Sequence, residues 1–235
     1  CIGDGIQECR NTWEHKKWNI TDLPEFELAI TIDRPELYYD FLQKDWTRFC
    51  HDYWKNNFLE HHTLSKKRVT RIYIGNQFCH NLFPRKELLF QVLEKALENN
   101  LAVTLAFSYI RNHLLEEIDE LLQELEVWCQ SREKEAGKDQ EEIIVNDWAM
   151  PILLQGKPHL KPVLGVLLNK RRKDVRLPYK HGIGNHVDSL AENNLNCGFY
   201  QDYLKNTFDI QRFEFESCGY KVTIPDAVSY THLTL

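Results

Sequence analysis

Two spacings of apolar residues take turns along this chain. Residues 26–33 (FELAITID) alternate every second position, as a half-buried strand does. Over residues 36–58, Leu37, Phe41, Phe49, Tyr53 and Trp54 recur near helical spacing. Pro35 stands at a favoured first-turn position, so one helix is predicted there. Residues 71–75 read as the next strand. Residues 87–99 form a helix with Leu88, Val92, Leu93 and Leu97 on one face, stopped by Asn99 and Asn100. Residues 102–108 (AVTLAFS) are a buried strand. Residues 113–132 are a long amphipathic helix whose stripe is Leu114, Ile118, Leu121, Leu122, Leu125 and Trp128.

The pattern then repeats. The charged segment 133–140, with Gly137, reads as a surface loop. Residues 142–146 are a strand, 148–154 a short helix and 162–168 (PVLGVLL) another buried strand. A polar loop covers 170–185, a partly helical stretch 187–206, and a final strand 212–217 (RFEFES). Six β/α steps imply parallel strands joined by crossover helices. An open doubly wound sheet and a (β/α)8 barrel both fit this order. A barrel takes roughly 200–250 residues. The expected fold is therefore α/β, an incomplete (β/α)8 TIM-type barrel with parallel strands, over residues 21–227. Residues 1–20 are set apart as an N-terminal segment of unseen context. Residues 228–235 (VSYTHLTL) look like a translated sequencing adapter, so a C-terminally truncated fragment with a non-native, poorly packed tail is expected.

Composition narrows the class. At 235 residues and 43% hydrophobic, the chain can bury a core, which excludes disorder. A net charge of −6 argues against a general nucleic-acid binder. The basic run Lys170–Lys173 reads as a solvated loop rather than a phosphate site. No apolar run is long enough to span a membrane. Seven scattered cysteines, without a CxxC pair, argue for reduced thiols in a cytoplasm over a disulfide framework or a zinc ribbon.

Parallel strands gather their carboxyl ends on one face, where ligands collect. The groups expected to line a site there are Asn76, Gln77, Ser108, Asn146, Asp147, Asn169 and Cys218. Asn146 and Asp147 are also well suited to capping the helix that follows. Cys79 is the most conspicuous group, since IYIGNQFC runs from a strand through Gly-Asn-Gln to a thiol in a loop. It reads as a metal or cluster ligand, a nucleophile, or a small buried hydrophobe. His80 beside it is a weak base partner, because adjacent side chains diverge. No HExxH, GxSxG, GxGxxG or P-loop pattern occurs, and no catalytic set is identified.

The IYIGNQFC segment resembles the Tyr-Leu-Gly-x-x-x-Cys motif of the collagenase-like U-type peptidases (family thirty-two), in their ubiquinone-biosynthesis, UbiV-like branch. AVTLAFS, IIVNDWAMPILL, PVLGVLLN and RFEFESCGYKVTIP follow in an order similar to that family's strands, so the resemblance covers about residues 70–225. It implies a (β/α) barrel in a bacterial, cytoplasmic protein. It also implies an iron–sulfur cluster in the full-length protein, held by four cysteines, with Cys79 at the first ligand position. The remaining ligands would lie beyond this chain, so no cluster is expected in it. The implied activity is iron–sulfur-dependent modification or redox chemistry on a small molecule or RNA base, with a hetero-partner of the same family. The alternatives are a hydrolase or protease using polar groups at the strand ends, and a non-catalytic partner subunit.

Overall fold

A computed structural model describes residues 26–136, 141–170, 192–216 and 229–233, with side chains described except over 133–136 and 229–233. The segment 1–20, Cys218 and most of the loop 170–185 lie outside the described residues.

Among the described residues, seven strands form one parallel sheet in chain order. They are β1 (Ala29–Ile32), β2 (Arg71–Ile74), β3 (Ala102–Ala106), β4 (Glu141–Val145), β5 (Leu160–Leu164), β6 (Arg212–Glu216) and β7 (Ser229–Leu233). The sheet curls as a half-barrel with helices, so the α/β class, the parallel strands and the incomplete barrel shape stand as expected. All six predicted strands are present: β1, β2, β3 and β6 are shorter at their ends, and β4 is shifted one residue earlier. In β5 the strand runs from Leu160 to Leu164, not 162–168. After it the Leu168 and Asn169 amides turn back to donate to the Gly165 carbonyl. Pro162 pairs with Ile143 of β4 but lies outside the two-residue pairing with β6, where its missing N–H would be felt.

Residues 229–233 were expected to lack strand pairing. Instead β7 pairs with β6 over five residues, Arg212↔Ser229 through Glu216↔Leu233. The RFEFE edge offers a backbone ladder, and a short extended segment can fill it whatever its side chains are.

The single helix predicted over 36–58 is two, α1 (Pro35–Gln43) and α2 (Trp46–Asn56). Asp45 breaks it by accepting the Arg48 amide at 2.9 Å as an N-cap. The helices α3 (Lys86–Glu98), α4 (Leu115–Ala136), α5 (Ala149–Leu153) and α6 (Gly198–Phe208) follow. The helix α4 runs into the segment predicted as a loop from residue 133. Leu89, Val92, Leu93 and Ala96 of α3 and Leu122, Leu125 and Cys129 of α4 are buried against the sheet. Their partners are Ile30, Ile72, Val103, Ile143, Leu164, Phe213 and Phe215, the outer face of the strands. At about 1.5–3 kcal/mol per large buried side chain, this interface is the main source of stability.

The alternation of strand residues fixes what faces inward. Tyr73, Ala106, Ile144 and Val163 form a separate small apolar cluster on the opposite face. Arg71, Thr104, Glu142, Arg212 and Glu214 share that inner face by their even spacing along the strands.

Candidate functional site

The carboxyl ends of β2, β4 and β6 bring three polar side chains into one chain of hydrogen bonds. Asn146, just after β4, starts it. Its Oδ1 accepts the Leu167 amide at 3.3 Å, and its Nδ2 donates to the Phe107 carbonyl at 2.9 Å and to Gln77 Oε1 at 3.3 Å. Gln77, in the loop after β2, passes the chain on: its Nε2 donates to Glu214 Oε2 at 3.0 Å. Asn169 approaches from the turn after β5 and donates from Nδ2 to the Glu214 carbonyl at 2.8 Å. Gly165 is required for this arrangement. A Cβ there would run into Asn146 Oδ1 and stand 2.7 Å from Ile144 Cγ2.

Glu214 is fully buried, and burial pushes its carboxyl up to about 8 against the lowering effects of the Gln77 amide and the Val166 backbone N–H. At neutral pH it is therefore mostly protonated. Its Oε1 and the Oδ1 of Asn169 are buried and have no hydrogen-bond partner among the described residues. Gln77 is only partly buried, so it stands between solvent and the carboxyl one hydrogen bond deeper. Phe78 and Tyr109, in the loops after β2 and β3, are exposed.

A second polar cluster sits on the same inner face, nearer the amino ends of the strands. Glu142 Oε2 accepts from Arg71 Nη1 at 3.0 Å and from Thr104 Oγ1 at 2.9 Å. Its Oε1 accepts from Arg212 Nη1 at 2.6 Å. Arg71 Nε also meets Glu27 Oε2 at 2.8 Å. Burial works against the Arg71 charge, and the carboxylates of Glu142 and Glu27 more than offset it, so its pKa is raised.

Of the residues predicted to line a site, Gln77, Asn146 and Asn169 come together around Glu214. The others have local duties. Asn76 Oδ1 accepts the amides of Phe78 and Cys79, both at 2.9 Å, and its Nδ2 reaches the Asp33 carbonyl, so it shapes the β2 loop. Asp147 caps α5 through the amides of Ala149 and Met150 at 2.9 and 3.0 Å and also accepts the Ile110 amide. Ser108 is buried and donates to the neighbouring Tyr109 carbonyl at 3.4 Å. Cys79 is partly buried, unbridged, and precedes the short 3-10 turn His80–Leu82. Among the described residues, no three His, Cys, Asp or Glu side chains gather as a metal-ligating group. The thiols described besides Cys79 do not supply a cluster site. Cys50 and Cys129 are helix residues facing the core, and burial pushes both up to about 12.

Glu214 was not anticipated. The alternation in RFEFE puts Phe213 and Phe215 on one face and Glu214 on the other, but the sequence does not show that this second face is covered. Parallel sheets covered on both faces bury both sets of side chains.

Comparison of the chain with protein-family models, with curated proteins and with solved structures finds no match to any of them.

Proposed function

We propose that this chain carries the site of a (β/α)8-type barrel enzyme acting on a small polar molecule at the carboxyl end of the sheet, with Glu214 as its proton donor. The observation that supports this reading best is the fully buried carboxyl with one oxygen lacking a hydrogen-bond partner among the described residues, where burial favours the neutral form. A carboxyl kept neutral near pH 7 can give up a proton to a substrate, and such groups cluster at functional sites. Gln77 and Asn146 hold it in place through donated hydrogen bonds. This corresponds to the alternative in which polar groups at the strand ends carry the chemistry.

Dicyclohexylcarbodiimide, which attacks protonated carboxyls in apolar surroundings, tests the reading. Mass spectrometry should find Glu214 labelled at about pH 7 and unlabelled well above its pKa, at about pH 10. An unlabelled Glu214 at pH 7, with other carboxyls modified, would overturn the reading.

The second reading keeps Cys79 as one ligand of an iron–sulfur cluster. It is favoured by the place of Cys79 in the loop after β2, two residues from Gln77 at the same end of the sheet. Within the described residues the thiol set does not fit a cluster, so further ligands would have to come from elsewhere, and no step is routed through it. Iron and sulfide reconstitution of the full-length protein under anaerobic conditions tests it. The visible absorbance of a cluster should vanish in Cys79→Ser, and full absorbance in that variant would remove Cys79 from the ligand set.

A further inference from the structure

The helices on the outer side of the sheet enclose a groove of their own, away from Glu214. It runs between α3 and α4 and has a volume of about 610 Å³. Its floor is apolar. The rings of Phe90 and Trp128 meet edge to face with centroids 6.0 Å apart, and both are only partly buried against the core. Val127 lines the groove with them and is 64% exposed. Glu120, Gln123, Glu124 and Ser131 line the rest. These α4 residues and Val127 recur at three- and four-residue spacing, so they share one face of the helix. From residue 120 to residue 131 that face runs for about three turns, or about 16 Å.

The charge along the groove is mainly of one sign. Glu116, Glu117, Glu120 and Glu124 are exposed along α4. Glu94 of α3 is exposed as well, and its Oε1 accepts from Trp128 Nε1 at 2.7 Å. Lys86 and Arg132 answer part of this charge. Lys86 Nζ meets Glu124 Oε1 at 3.0 Å. The Arg132 guanidinium lies 4.0 Å from the Trp128 ring centroid, and it also meets Glu141, an acid outside the groove, at 3.6 Å. An acidic helix face alone is a solvated surface. Val127 and the two rings set this face apart, because they leave apolar area exposed between the carboxylates.

We propose that this groove docks a cationic amphipathic helix of a partner protein, with its apolar stripe over Phe90, Val127 and Trp128 and its Lys and Arg side chains meeting Glu120 and Glu124. The length suits a helix of about three turns, anchored at i, i+3 or i+4, and i+7. The sign of the rim selects the occupant. Carboxylates repel nucleic acid and anionic lipid, and a second copy of this chain, at net charge −6, brings the same sign. The carboxylates steer and orient a basic partner, and the apolar floor holds it. Docking there is independent of Glu214, which lies on the inner face.

Calorimetric titration of the whole chain with three peptides of about 14 residues tests this. They are a leucine–lysine amphipathic helix, its leucine–glutamate counterpart, and a leucine–lysine peptide of the same composition in scrambled order. The leucine–lysine helix should bind at least about tenfold more tightly than either of the others. Val127→Glu adds negative charge but removes the apolar centre, and should weaken that binding about tenfold. Glu120→Gln with Glu124→Gln should weaken it about tenfold at low salt and flatten its salt dependence. Glu60→Gln with Glu192→Gln removes two exposed acids from other elements, and should change the affinity less than about twofold. Equal binding of the scrambled peptide, unaltered binding to Val127→Glu, or an equal loss in the Glu60 and Glu192 variant would each overturn the proposal. Self-association of the chain that Val127→Glu abolishes would overturn it too, because the occupant would then be a second copy.

Discussion

Arg212 and Glu214 sit two residues apart on the same face of β6, and their surroundings follow opposite rules. Around Arg212 the charges answer one another: Glu142 accepts from Arg71, Thr104 and Arg212, and Glu27 closes the cluster from outside. Around Glu214, among the described residues, no cation is in hydrogen-bond contact, two side-chain amides and the Val166 backbone N–H lead to the carboxyl, and two buried oxygens, Glu214 Oε1 and Asn169 Oδ1, have no side-chain partner. The first cluster holds strands together. The second buries a carboxyl, with its neutral form favoured, at the end of the sheet where parallel barrels gather their loops. A buried polar network that is fully matched specifies structure, and one left partly unmatched implies a missing partner.

If this contrast is right, the two clusters fail differently. Glu142→Ala should be the most damaging change, because it removes the carboxylate that Arg71 and Arg212 share and leaves Glu27 to answer both. Chemical denaturation should show a loss of about 3 kcal/mol. Gly165→Ala should cost about 1–3 kcal/mol by overpacking against Asn146 and Ile144, and should also disturb the protonation of Glu214. A pure stability loss with Glu214 unaltered would show that Asn146 does not orient the site. Asp147→Ala should cost about 0.5–2 kcal/mol by uncapping α5, with the Glu214 titration unchanged. A changed titration would mean that Asp147 belongs to the site after all.

The strand order was legible in the sequence because buried parallel strands are short apolar runs between turn signals, as in AVTLAFS. The break between α1 and α2 was not, because Asp45 acts through a cap rather than through the apolar spacing. The site was half legible. Gln77, Asn146 and Asn169 could be read as strand-end residues, but Asp147 and Asn76 look the same and serve the backbone instead. Nothing in a single sequence says which polar side chain turns inward until the strand register is known. Glu214 was hidden for that reason: in RFEFE a glutamate between two phenylalanines reads as the solvent side of a half-exposed strand, and only two covered faces make it a buried acid.

The protonation of Glu214 also governs stability. Its carboxyl is raised from an ordinary 4.5 to about 8, so the folded state favours the neutral form. The stability it allows is fully present below about pH 4.5 and is lost as the pH rises through about 8, at up to about 1.4 kcal/mol per pH unit between the two. Glu214→Gln should flatten that slope and be the more stable protein in alkaline solution.

The most direct test of the account is the infrared carboxylic acid band of Glu214, taken as the difference between the parent chain and Glu214→Gln from about pH 5 to about pH 10. The account predicts a protonated carboxyl band that persists through pH 7 and titrates away near pH 8. A band that is already gone at about pH 6 would contradict it, because an ionised Glu214 can neither donate to a ligand nor serve as the proton donor of the site.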